Sequence, residues 1–111
     1  MRLDALPGDP FDALGDPNRR AIVELVRERD RSVGELAEAL PISRPAVSRH
    51  LRLLEQAGLV RGRADGTRHI YRLDGEGFAA VREYLEGVWG EAAARFRLAA
   101  ENTAPDAPGE R

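Results

Sequence analysis

Apolar side chains recur along the chain at spacings that predict a series of helices followed by a hairpin and one more helix. Ala21, Ile22, Leu25 and Val26 fall on one face of an amphipathic helix over Pro17–Arg29. Asp16 stands where an N-cap acceptor is needed, and Pro17 follows at the first helical position, where a missing N–H costs nothing. Ahead of it, Phe11, Ala13 and Leu14 predict a short helix of their own. Ser32 and Glu35 have the spacing of a reciprocal capping box, and Val33, Leu36, Ala37 and Leu40 supply the stripe of a second, short helix ending near Leu40. Pro41-Ile42-Ser43 is a three-residue break. Ser43 then caps a further helix running through Pro45, Val47, Leu51, Leu54 and Ala57 to a stop at Gly58.

From Leu59 the period changes to alternation. Leu59, Arg61 and Arg63 lead to Asp65-Gly66, and Arg68, Ile70 and Arg72 interleave with His69, Tyr71 and Leu73 beyond it. Asp-Gly between two β-prone runs predicts a tight hairpin. Gly75 to about Glu101 then predicts one long helix, with Phe78, Val81, Leu85, Val88, Ala92 and Phe96 at steps of three and four. At 111 residues the chain has room for one domain, expected over 11–101, with a flexible arm over 1–10. The tail NTAPDAPGER, residues 102–111, has two prolines and no large apolar side chain, so it is expected to be disordered. No run approaches a membrane span, and the opening MRLDALPGDP lacks the basic end and apolar core of a signal peptide. A cytoplasmic protein with no membrane partner is expected.

Charge changes the picture. The formal net charge is -2, which as an average argues against a nucleic-acid partner. Between Ser43 and Arg72, however, seven arginines face two acids, Glu55 and Asp65, a local balance of +5 that leaves -7 on the remainder. A basic pole sits on an acidic body, and DNA offers such a pole a dense line of phosphates. All 17 basic side chains are arginine and none is lysine, so each carries a planar fork suited to phosphate and guanine, although coding bias would produce the same usage.

A short helix, a tight turn, a second helix and an Arg-rich hairpin follow the order of a winged helix-turn-helix, a mainly α fold with a β-hairpin wing. Val47, Leu51 and Leu54 must face the core, which leaves Arg44, Pro45, Ser48, Arg49 and Arg52 on or near the opposite face as groove-facing residues. Arginine can donate two bonds to the O6 and N7 of guanine, and serine can reach a base edge or a phosphate. Arg63 and Arg68 flank the hairpin tip, where they can straddle a backbone or enter a minor groove. Asp65 and Gly66 are there for turn geometry. The plainer alternative, a solvated helix face and an ordinary exposed hairpin, is opposed by the order of the elements.

Three stretches carry a resemblance: LGDPNRR over 14–20, ISRPAVSRHL over 42–51 and EQAGLV over 55–60. They look like the signature stretches of the ArsR/SmtB family of bacterial transcriptional repressors, and the likeness covers roughly Phe11 to Arg97. It implies a homodimer joined through its first and last helices, binding a palindromic operator in double-stranded DNA and blocking transcription. With the facing of the third helix and the hairpin tip read above, the expected DNA-binding set is Ser43, Arg44, Pro45, Ser48, Arg49, His50, Arg52, Arg63, Thr67 and Arg68. The implied dimer interface is Leu14, Ile22, Phe78, Val81, Leu85, Val88, Trp89, Ala92 and Phe96. Position 44 is arginine where the family pattern often has glutamine, so base preference can differ there.

Metal sensing, common among such proteins, is not expected to carry over. The chain has no cysteine, which removes disulfides, redox switching and the thiolate metal sites, and 35–40 reads ELAEAL. The last helix has Glu76, Glu83, Glu86 and Glu91 but no histidine, so zinc lacks its preferred nitrogen ligands. A metal-independent branch with no cofactor is the expectation, the effector being left open. His50 is expected to pack or bond a phosphate, and His69 to have no special role. Gly87 and Trp89 invite an effector pocket, but with six aromatic residues in the chain, dimer packing is the stronger reading. Ser48 and His50 lie two apart on a helix and point to different sides, so no Ser–His dyad and no enzyme is expected. The rival to a DNA reader is a winged helix serving only protein interaction or dimerisation, which would have no need of the basic pole.

Overall fold

Caps set the element boundaries. In a computed structural model, which describes residues 6–103, the Asp16 carboxylate accepts from the amides of Asn18 at 2.8 Å and Arg19 at 3.2 Å, and α2 runs Pro17–Glu28 behind it. The Ser32–Glu35 box forms in both directions and starts α3, Val33–Ala39. Ser43 accepts from the Ala46 amide at 3.2 Å and starts α4, Arg44–Gln56. A short α1, Pro10–Ala13, precedes them, capped by Asp9.

The sheet has three strands in the order β1-β3-β2: β1 is Arg31–Ser32, β2 is Val60–Asp65 and β3 is Arg68–Leu73. Only the hairpin is legible in the sequence. The additional strand is two residues long, Arg31 pairing with Tyr71 and Ser32 with Ile70. The hairpin register also moves the turn by one residue. Asp65 pairs with Arg68, so the loop is Gly66-Thr67 and not Asp65-Gly66. Gly66 has φ +64°, as the first central position of a primed hairpin turn requires, which is why glycine stands there.

Ile22, Leu36, Val47, Leu51, Leu54, Leu59 and Val60 are almost completely buried and form the core beneath α2, α3, α4 and the sheet. Burying each such side chain is worth about 1.5–3 kcal/mol, so the core fixes the angle between α3 and α4. Where α4 ends, Gly58 has φ +72° and its carbonyl accepts from the Gly77 amide at 2.7 Å. That contact is possible because Gly77 has no Cβ, which would run into the Ala57 carbonyl oxygen.

The described chain divides into two units after Val81. Helix α5, Gly75–Thr103, begins in the first unit, with Phe78 packed on the core, and supplies the helical part of the second. In the second unit Leu85, Val88, Trp89, Phe96 and Leu98 are exposed, Trp89 at 71% and Phe96 at 79%. No helix among the described residues is long and apolar enough to cross a membrane.

Two sequence expectations are corrected. Ile22, assigned to the dimer interface, is 0% exposed in the core of the first unit, because α2 turns its Ile22–Val26 face toward α4 and the sheet. Part of the arm expected to be flexible is held: the Gly8 amide donates to the Gln56 carbonyl at 2.9 Å, Asp9 caps α1 and Pro10 is buried. Residues 1–5 of that arm and 104–111 of the expected tail lie outside the described residues.

Candidate nucleic-acid interface

Helix α4 presents its polar face as the 3.6-residue period requires. Val47, Leu51 and Leu54 are fully buried, and Ser43, Arg44, Pro45, Ser48, Arg49 and Arg52 are exposed. Among the described residues, none of Arg44, Arg49 and Arg52 makes an ion pair, so three forks on one helix face carry uncompensated charge. The chemistry available is phosphate binding and bidentate recognition of guanine.

The wing differs. Arg61 pairs with Asp74 at 3.1 Å, Arg63 with Asp30 at 3.3 Å and Arg68 with Glu35 at 3.6 Å. The two tip arginines, Arg63 and Arg68, are therefore where the sequence put them but lean onto acids of the body. Glu35 also receives Arg29 at 3.4 Å. Its carboxyl is held below the usual range by the Ser32 amide first and by Arg29 and Arg68 after it, against an opposing effect of burial. Asp30 and Glu35 are acidic neighbours of the wing arginines that sequence reasoning missed. A capping glutamate is legible as a cap, but its second role as a counterion depends on the wing folding back beside it.

His50 sits half-buried on the flank of α4. Arg19 donates to its Nδ1 at 3.3 Å and anchors itself with a 2.8 Å bond from Nε to the Ala13 carbonyl. A guanidinium only donates, so in this contact Nδ1 is the acceptor. His50 is thus tied to α2, while Ser48 and Arg49 are exposed beside it. In the wing, His69 stacks on Tyr71 with ring centroids 4.9 Å apart. The pair crosses Gly62, where a Cβ would stand 2.6 Å from the tyrosine ring. Burial pushes the Tyr71 phenol up, with Glu55 adding to the effect.

The expected interface residues in the second unit, Leu85, Val88, Trp89 and Phe96, are exposed, and Ala92 is half-buried. Leu14 and Phe78 pack on the core of the first unit, and Val81 is half-buried. Among the described residues no three His, Cys, Asp or Glu side chains come together as a metal site would need.

Helix α3, the turn at 40–43, helix α4 and the β2–β3 hairpin define a winged helix-turn-helix, the architecture of a DNA-binding transcriptional regulator. Residues 16–61, from the α2 cap into the wing, match the model of the bacterial regulatory protein, arsR family. The chain is 51% identical over 83 residues to the HTH-type transcriptional regulator Rv2034 of Mycobacterium tuberculosis (strain ATCC 25618 / H37Rv), covering 75% of this chain and 78% of that one. It is 46% identical over 71 residues to the HTH-type transcriptional repressor SmtB of Mycobacterium tuberculosis (strain CDC 1551 / Oshkosh), spanning 64% of this chain and about half, 52%, of the repressor. A solved structure of an ArsR-like transcriptional regulator from Rhodococcus sp. RHA1 superimposes with a TM-score of 0.73 at 31% identity, covering 84% of this chain and 88% of that one. The chain belongs to the ArsR family of bacterial transcriptional regulators, which act by binding DNA and are not enzymes.

Proposed function

We propose that the chain is a homodimeric repressor that binds a palindromic operator without sensing a metal. One observation carries the reading: the face of α4 formed by Arg44, Arg49 and Arg52, unpaired among the described residues and set beside a wing whose arginines have exposed, exchangeable acidic partners. Two such helices in a dimer would enter successive major grooves about 34 Å apart, with the wings over the flanking minor grooves. The exposed apolar residues of α5, Leu85, Val88, Trp89 and Phe96, supply the surface on which two copies would join. The metal-independent part rests on the donor set, since the chain offers no thiolate at 35–40 and no histidine on α5.

The test is a titration of duplex DNA from the promoter of the chain's own gene, at rising salt. Site-selective binding that weakens with salt is expected, and it should be unaffected by chelators. Absence of selective binding at low salt would favour a winged helix used only for protein association.

A further inference from the structure

Arg44 does not stand clear of the protein. Its guanidinium lies over Gly34 in the first turn of α3, where a Cβ would be 3.7 to 3.9 Å from Nη1, Nη2 and Cζ. Three nearly equal distances mean that the planar group lies across a stretch of bare backbone. Arg44 and Ser48, one turn further along α4, form one wall of a groove of about 410 Å³, Gly34 its floor, and Thr67, Arg68 and His69 of the wing the other wall. The lining contains two guanidiniums and several hydroxyls, and no carboxylate. Arg68 has Glu35 as an exchangeable neighbour at 3.6 Å, half exposed, and Arg44 has no acidic partner among the described residues.

We propose that this groove seats one phosphodiester of the DNA backbone, held by Arg44 and Arg68 with the hydroxyls of Ser48 and Thr67, so that Arg44 grips the backbone and reads no base. The inference rests on the DNA-binding reading above and assigns part of that surface. A base edge belongs to a stack and cannot enter a concave site between two protein elements without leaving it. A phosphate projects from the duplex and can. With about 30 Å³ per liquid water, the groove has room for the phosphate oxygens and several waters. Gly34 becomes a positioning residue: a long side chain there would fill the floor and displace the Arg44 fork.

The experiment uses the full chain and two duplexes of equal length, one selected from a random pool by the protein and one scrambled. Dissociation constants are measured over a salt series. Arg44→Ala weakens both duplexes by a similar factor, on the order of tenfold, and lowers the salt slope by about one. Arg44→Lys keeps the slope. Gly34→Gln reproduces the loss with an unchanged urea midpoint, whereas Gly34→Ala, at ordinary contact distance from the guanidinium, binds like the unaltered chain. Loss confined to the selected duplex makes Arg44 a base reader and overturns the inference, as does Gly34→Gln binding at full strength. Failure of the unaltered chain to bind either duplex overturns the DNA reading itself, and the groove with it.

Discussion

Arg63 in β2 meets Asp30, the residue before β1, at 3.3 Å, across 33 residues of chain. Both side chains are about half exposed, so the pair adds little stability. On the proposed DNA-binding reading its significance would be competitive, because a phosphate arriving at Arg63 would have to displace a carboxylate already there. Asp30→Asn is therefore expected to strengthen binding to unselected duplex at low salt, with an unfolding midpoint within about 0.5 kcal/mol of the parent. Fluorescence anisotropy titrations measure the first and urea denaturation the second. Weaker binding by the variant would instead make Asp30 a support that holds the wing in its binding position.

The close approach of Gly77 to the Ala57–Gly58 backbone leaves no room for a methyl group. Gly77→Ala is expected to destabilise by about 1–3 kcal/mol, as overpacking does, and to lower the urea midpoint accordingly. Gly62→Ala belongs with it, since its Cβ would stand 2.6 Å from the Tyr71 ring. Gly90→Ala, with nothing within 4 Å of its Cβ, is the internal control and should not lower the midpoint.

Asp16 and Glu35 are both held below the usual carboxylate range, chiefly by the backbone amides of Arg19 and Ser32 respectively. A carboxyl whose pKa is lower folded than unfolded contributes stability that is complete above the unfolded value, about 3.9 for Asp and 4.3 for Glu, and is lost as pH falls through the folded value. The unfolding midpoint should thus decline on acidification below about pH 5. Asp16→Asn still caps α2 but no longer titrates, so its acid limb should be flatter. An identical limb in the variant would remove Asp16 from the account.

Trp89 is the only tryptophan and is exposed in the single chain. If α5 joins two copies, diluting the protein should shift its emission to the red as the indole becomes wet. Phe96→Glu should abolish that shift and sediment as a monomer at micromolar concentration. A concentration-independent spectrum in the parent chain would place the association elsewhere.

Where the sequence was legible, the signal was local. Asp16-Pro17, Ser32 with Glu35, and Ser43 cap their own helices, and a cap requires only residues two or three positions away. The buried row Val47, Leu51 and Leu54 follows from helical period in the same way. Non-local relations were not legible. Arg31–Ser32 is too short to show strand alternation and exists because Tyr71 and Ile70 lie alongside it. Ile22 looked available to a partner because an apolar residue on an early helix cannot announce which surface will cover it. The seven arginines counted as one pole separate in the fold into an unpaired set on α4 and a neutralised set at the wing. Arg72 of that seven is the exception at the wing: among the described residues it has no ion pair, and its place is in the β2–β3 ladder opposite Arg61.

Ser32 performs two tasks at once: its hydroxyl starts α3, and its backbone pairs with Ile70 in the wing. Any outward swing of the hairpin would pull on the first turn of α3, and through α3 on the reading helix packed beside it. On the proposed DNA-binding reading, wing and reading helix would therefore act together, as the jaws of a caliper. A duplex bound there would have to fit the gap, and one whose grooves are too wide or too narrow would have to deform to enter, so selectivity of this kind would extend to base pairs that no side chain touches.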